Sequence, residues 1–180
     1  MRKTFNRYGL YGGVTVIVLY IIDLLIFSDK TANYSIAEVF GYATIIISLC
    51  FVYFGIRYYR DKQNNGMLSF WRGIKTGMLI TLIPAVCFGL ADVIYITVID
   101  PAFYDKATSI GLLRLKATVP AADYAAKAVA FKEQMDFFRK PPVDFALMFI
   151  TVAAVGLIIT VISTFMLKRA AATKTTVEFA

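Results

Sequence analysis

Four long apolar runs separated by short basic connections constrain this 180-residue chain more than any other feature. The runs occupy 8–27, 36–56, 74–99 and 145–167. At 1.5 Å of rise per residue, a helix needs about 20 apolar residues to cross the hydrocarbon of a bilayer, and each run meets that length. Lipid satisfies no backbone N–H or C=O, so a run of this kind must satisfy its own groups and becomes a helix. Composition agrees. Hydrophobic residues make up 59% of the chain and charged residues 17%, against about 45–50% and 25% in soluble domains. The expected fold is an all-α integral membrane four-helix bundle, forming a single membrane domain over 1–180.

The net charge is +7. A nucleic-acid surface is one reading of such an excess. However, the basic residues sit at the ends of the apolar runs, where they meet lipid headgroups, so the expected partner is the bilayer and not nucleic acid. The first run follows Arg2, Lys3 and Arg7 in the manner of a signal peptide. Its apolar core exceeds the usual length and no small-x-small cleavage site follows it, so it reads as an uncleaved anchor. Pro84 falls inside the third run, where a membrane helix tolerates it as a kink.

Orientation follows from Lys and Arg in the short segments. The N-terminal tail carries Arg2, Lys3 and Arg7, and the first connection only Lys30. The second connection carries Arg57, Arg60, Lys62 and Arg72, with Lys75 just beyond, and the C-terminal tail carries Lys168, Arg169 and Lys174. Segment 100–144 is long and mixes seven basic with six acidic residues, which weakens its influence. Both termini are therefore expected in the cytoplasm, with an even number of spans.

Segment 57–73 reads RYYRDKQNNGMLSFWRG. Asn65-Gly66 is a turn signal. Tyr58, Tyr59, Phe70 and Trp71 beside Arg60 read as interfacial anchors, with aromatic rings at headgroup depth and cations on anionic lipid. The wider stretch 54–83 resembles the central signature of the domain-of-unknown-function family 4199, a set of small bacterial membrane proteins. The matching residues are Phe54, Gly55, Ile56, Tyr59, Arg60, Asp61, Gly66, Ser69, Phe70, Lys75 and Gly77. The long third connection, its Pro141-Pro142 turn and the ending at 155–169 are similar too. This resemblance covers nearly the whole chain. It implies a multi-pass protein of the bacterial inner membrane and carries no activity, cofactor or catalytic residue with it.

The connection at 102–139 has its own organisation. Tyr124, Ala128, Phe131, Met135 and Phe138 recur at steps of four and three, forming one stripe on an amphipathic helix. A weaker stripe runs through Phe103, Ala107, Ile110, Leu113 and Ala117. The two helices are expected to form a hairpin over the outer ends of the spans or in the outer interface.

Chemistry-bearing residues are few. The chain has no His, the commonest neutral-pH base and metal ligand. Cys50 and Cys87 differ in depth by about 10 Å, which argues against a disulfide. No catalytic motif, metal site or cofactor is expected, and the chain reads as a non-enzyme. Two features remain. Asp23, Glu38, Asp92 and Asp100 fall in the outer part of the membrane, where ionisable groups are costly. Asp23 and Asp92 make a candidate ion or proton site, against edge solvation and hydrogen bonds to neighbours such as Tyr20 and Tyr95. Gly9 with Gly13 and Gly73 with Gly77 form GxxxG steps, which let helix backbones approach closely, within the bundle or in a homo-oligomer. The leading function is membrane interaction or envelope support. The alternative is a small transporter or ion-coupled subunit that uses the outer carboxylates.

Labelling tests the orientation. Single cysteines introduced as Ser35→Cys and Thr118→Cys should react with a membrane-impermeant reagent in intact cells. Asn65→Cys should not, and labelling at position 65 alone would reverse the topology.

Overall fold

The structure is a computed structural model that describes residues 2–27 and 34–168; the side chains at 2, 3, 34, 35, 37 and 38 are outside that description. Glu38, Lys30, Arg169 and Lys174 of the sequence reading therefore lie outside the described side chains. The described residues are helical throughout, joined by short turns. Helix α1 is Arg2–Phe27 and α2 is Tyr34–Tyr58, which widens into a π-helical turn at Tyr59–Gln63. Helix α3 is Phe70–Ile94 and widens likewise at Tyr95–Ile99. Helices α4, Phe103–Thr118, and α5, Ala121–Phe138, form the hairpin, and α6 is Pro141–Leu167. Helices α1, α2, α3 and α6 are each long and apolar enough to cross a membrane.

The helices outrun the apolar segments that announced them. Helix α3 begins at Phe70, not at Ile74, and α2 continues through the phrase read as a loop. Long cationic and aromatic side chains keep their heads in water while their stems cover the helix, so nothing in them ends the hydrogen-bond ladder. The turn shrinks to 64–69, where Asn65 and Gly66 both take positive φ, 50° and 77°. That is the left-handed region which Asn tolerates and Gly adopts freely. Pro141 and Pro142 do not stand outside the last span. Pro141 is the first residue of α6, where its missing N–H is one the helix cannot use and its fixed φ is already helical.

The chain packs as two compact units. One holds the described residues of Met1–Pro84 and Ala153–Ala180, and the other is Ala85–Val152. In the first unit small polar residues are buried beside apolar ones such as Val16, Leu49, Val52 and Ile80, and apolar residues also cover the outside. Thr44, Ser48, Thr76, Thr81, Thr160, Ser163 and Thr164 are buried, while Val14, Val18, Ile21, Leu25, Ile46, Ile47, Phe54 and Phe165 face outward. Apolar surface on this scale would not remain open to water. In lipid it costs nothing, and small residues inside let helices approach.

Helices α3 and α6 approach closely along a line of glycines. A Cβ on Gly73 would strike Thr164, one on Gly77 would strike Thr160, and one on Gly156 would strike Thr81. Each step of four along α3 matches a step of four backward along α6, the register of two antiparallel helices in contact along one seam. Thr81 Oγ1 donates to the Gly77 carbonyl at 3.0 Å, so its hydroxyl is satisfied within its own helix. Helix α1 joins through Gly9, which faces Ile83 and the Ile80 carbonyl, and through Gly12, which faces the Ser48 carbonyl and Pro84. Gly13 is buried. Pro84 cannot donate to the carbonyl four residues back, which is that of Ile80, and the close approach of Gly9 covers this freed oxygen.

In the second unit α4 and α5 pair as a hairpin. The five α5 stripe residues are each half-buried, whereas Val129 and Phe137 on the other faces are exposed. The Phe131 ring fills the space over Gly111, where a Cβ would collide with it. On α4 the stripe differs from the expected one, since Leu113 and Ala117 are exposed. The inward face runs through Tyr104, Thr108, Gly111 and Leu115, because Gly111 gives the close approach and the Tyr104 hydroxyl has a polar partner. Val119 is extended, as the residue before Pro120 must be, and this ends α4.

Two substitutions separate packing from composition. Gly77→Val should destabilise the protein in detergent by about 1–3 kcal/mol, the usual cost of overpacking. Gly41→Ala, with no atom within 4 Å of the new Cβ, should be neutral or stabilising by about 0.5–1 kcal/mol, because Ala holds a helix better than Gly. Steric trapping or thermal unfolding reads both. For the hairpin, the double substitution Phe131→Asp with Met135→Asp should raise protease cleavage near Pro120 and leave all four spans inserted.

Candidate functional site

Two places in the described structure concentrate polar chemistry, and they are built differently. The first is the turn joining α2 to α3, together with the start of α1. Tyr58 packs against Tyr8, ring centroids 5.6 Å apart. The Arg7 guanidinium lies about 6 Å from the rings of Tyr8, Tyr11 and Tyr58, within range of a cation–π attraction. Arg7 Nε also donates to the Tyr11 hydroxyl at 3.2 Å. Arg60 donates twice to Asp61, at 2.6 and 3.2 Å, and reaches the last carbonyl of α6, Leu167, at 3.5 Å. Arg72 donates to Asn64 at 2.9 Å, and Asn64 to the Met67 carbonyl, which ties the turn to its own helix.

The five anchor residues thus divide. Trp71 is 71% exposed and Tyr58 and Phe70 are half-buried, as headgroup anchors should be. Tyr59 is buried and Arg60 is occupied by Asp61, so these two brace the turn instead. Beside them is an open recess of about 250 Å³ lined by Tyr8, Phe54, Arg57, Tyr58, Asp61 and Lys62. Asp61 lies in the same lining, 3.8 Å from Arg57 Nε, and the cations Arg57 and Lys62 beside aromatic side chains can meet an anionic headgroup.

The second place lies in the unit Ala85–Val152. Helix α3 delivers Asp92 in its last turn, α4 delivers Tyr104 in its first, and α6 delivers Asp144 in its first. The Tyr104 hydroxyl donates to Asp144 Oδ1 at 2.7 Å. Asp144 is fully buried and Tyr104 nearly so. Asp92 acts on both of them. Burial first, and then the hydrogen bond and negative charge of Asp144, push the Tyr104 phenol above the usual tyrosine range. The aromatic pair Phe103–Tyr95, centroids 5.5 Å apart, closes the junction between α3 and α4.

The carboxylates read from the sequence fall in different surroundings. Asp23 accepts a hydrogen bond from Thr44 Oγ1 at 2.7 Å, in the first unit. Asp92 belongs to the second unit, with Tyr104 and Asp144. Asp100 is paired with Lys106 at 2.7 Å, a cation the sequence reading had not assigned to it. Asp144 and Tyr104 were missed, because the last span was begun at Phe145 and everything before it was treated as a connection. The signal was present in Pro141-Pro142: a helix opening on Pro141 puts Asp144 inside its first turn. Among the described residues no group of three or more His, Cys, Asp or Glu side chains could hold a metal ion. Cys50 and Cys87 are both free.

Replacing Tyr104 with Phe removes the donor to Asp144 and should cost about 1.5–3 kcal/mol, the range for a hydrogen bond to a charged partner. The pH dependence has a definite sign. A phenol raised in the folded state lends stability that is complete below the ordinary tyrosine range and lost as pH climbs through it. Unfolding of the native protein should therefore steepen above about pH 10, and Tyr104→Phe should flatten that alkaline limb.

Comparison with known proteins returns one result. The model of the family described as "Protein of unknown function (DUF4199)" matches residues 7–169. Neither a curated protein nor a solved structure matches the chain. The match takes in all four spans, the hairpin and both places described above, so the chain belongs to this family of unknown function.

Proposed function

We propose that this protein is a non-enzymatic membrane-interaction protein of the bacterial inner membrane, with both termini in the cytoplasm. Its cytoplasmic end grips anionic lipid, and its apolar flanks meet lipid, a second copy or another membrane protein. The observation that carries this reading is the recess beside the α2–α3 turn. Arg57, Lys62 and Asp61 line it with Tyr8, Tyr58 and Phe54, and exposed Trp71 stands at the start of α3 just past the turn. A lipid headgroup requires such a combination of cations over aromatic and aliphatic surface at one depth. The bracing of the turn by Arg60–Asp61 and Arg72–Asn64 supports the same reading, since the rim is held before a lipid arrives. The Lys and Arg count of the short segments supports the orientation.

A second reading, an ion-coupled subunit of a transport system, is favoured by one observation, the meeting of Asp92, Tyr104 and Asp144 inside the second unit. Native mass spectrometry of the protein released from membranes separates the two. Arg57→Glu with Lys62→Glu should lower retention of phosphatidylglycerol or cardiolipin by about ten- to thirtyfold, at roughly 1 kcal/mol per cation removed from an anionic surface. Unchanged retention would count against the lipid-gripping role. Reconstituted vesicles that dissipate a proton or sodium gradient only when this protein is present would favour transport instead.

A further inference from the structure

Asp144 presents an accounting problem that the fold does not solve by itself. The residue is completely buried. Its Oδ1 accepts from Tyr104, but its Oδ2 has no hydrogen-bond partner. A buried carboxylate oxygen without a donor is costly, and native proteins rarely leave one so. The titratable groups that act on Asp144 are Tyr104 from α4 and Asp92 from α3. Tyr104 has already spent its one proton on Oδ1. Asp92 brings a second carboxyl, and two ionised carboxyls offer each other acceptors only.

The cations nearest in sequence to Tyr104 and Asp144 are engaged elsewhere. Lys106 holds Asp100, and Arg139 holds Asp105. Lys140 lies over the Phe137 ring, 5.6 Å from its centroid. The influences on Tyr104 beyond its own burial likewise come from carboxyls, Asp144 and Asp92. What favours negative charge here is the positive end of the α6 dipole alone, because Pro141 and Pro142 carry no N–H and the Val143 and Asp144 N–H groups donate to the Lys140 carbonyl. One charge is thus accommodated. A second, in contact with the first and away from water, is not.

We propose that Asp92 and Asp144 form a proton-binding site, with a single proton held between Asp144 Oδ2 and the Asp92 carboxyl and one negative charge shared by the pair. The proton supplies the donor that Oδ2 lacks. It makes the two carboxyls a hydrogen-bonded acid pair in place of two repelling anions, and Tyr104 fixes Asp144 in the orientation that presents Oδ2 to Asp92. On release the O–H bond breaks, its electron pair stays on the carboxyl oxygen, and the proton passes to water; both carboxylates are then charged. The site joins the end of α3, the start of α4 and the start of α6, so its proton occupancy sets how firmly these three helix ends are held. This goes beyond lipid gripping at the α2–α3 turn and shares no residue with it.

Infrared difference spectroscopy on the full-length protein in lipid nanodiscs tests the site through the carbonyl stretch of a protonated carboxyl. The wild type should show that band at neutral pH and lose it on alkaline titration. Asp92→Asn and Asp144→Asn should each abolish it at neutral pH, because an amide N–H then donates to the remaining carboxylate. Asp23→Asn, which alters a carboxyl of the other unit, should leave it in place. If Asp144→Asn does not fold, Asp92→Asn alone decides. Tyr104→Phe should retain the band at a shifted frequency, a change that loss of packing would not produce. Absence of the band in the wild type at neutral pH, or its persistence in both Asn variants, would overturn the proposal. So would its loss on adding sodium chloride at constant pH, which would assign the pair to a metal cation. An unchanged band in sodium supports the proton.

Discussion

The close contact of α3 with α6 governs how the first unit can be built. In lipid there is no hydrophobic gain from hiding Leu against Leu, so helices must be held by packing and by polar contacts. Gly73, Gly77 and Gly156 remove the side chains that would hold the two backbones apart, and Thr164, Thr160 and Thr81 fill the space from the opposite helix. The reciprocity of the three pairs fixes both axial register and rotation. A shift by one residue would bring exposed Leu82, Leu157 or Phe165 toward the seam, and a β-carbon would then meet backbone. Once α3 is fixed, Gly9 and Gly12 seat α1 on its Ile80–Pro84 stretch and Gly55 seats α2 on Ile80.

The same physics explains what lies outside. The Leu, Ile, Val and Phe residues exposed on α1, α2, α3 and α6 meet acyl chains, and the cations and rings collect where the helices leave the hydrocarbon. The turn between α2 and α3 is tied by side-chain hydrogen bonds, so it presents Arg57, Lys62 and Trp71 from a fixed frame. The second unit uses different means. Its hairpin is held by Phe131 over Gly111 and by Arg139 on Asp105, and its link to the helix ends runs through the Tyr104–Asp144 bond.

Much of this was legible in the sequence because the governing signals are local. Apolar runs of bilayer length announce helices wherever they occur, and Asn65-Gly66 announces a left-handed turn. The five-residue stripe announced α5 because an amphipathic period needs no knowledge of its partner. Helix ends were less legible, since Arg, Tyr and Trp are compatible with helix and with loop, and only the ladder itself decides. The α4 face was misread because hydrophobicity selected Leu113 and Ala117, whereas Gly111 and Tyr104 make the contacts. Glycine carries no apolar signal, and a tyrosine with a buried partner cannot be told from one at the surface without knowing the partner. For the same reason Asp144, which Asp92 meets within its own unit, was not read from the sequence. Which carboxyls meet depends on helix rotation and on where α6 starts.

Disulfide cross-linking in native membranes tests the α3–α6 register most directly. In a background lacking Cys50 and Cys87, paired cysteines at 73 with 164, 77 with 160 and 81 with 156 should each cross-link rapidly, since a disulfide forms only when Cα atoms lie about 4.4–6.8 Å apart. Pairs displaced by one helical turn, such as 77 with 164, should react slowly, and the outward-facing pair 79 with 162 should not react. Rapid cross-linking of the displaced pairs, with none at the three matched ones, would contradict the register on which the packing of the first unit rests.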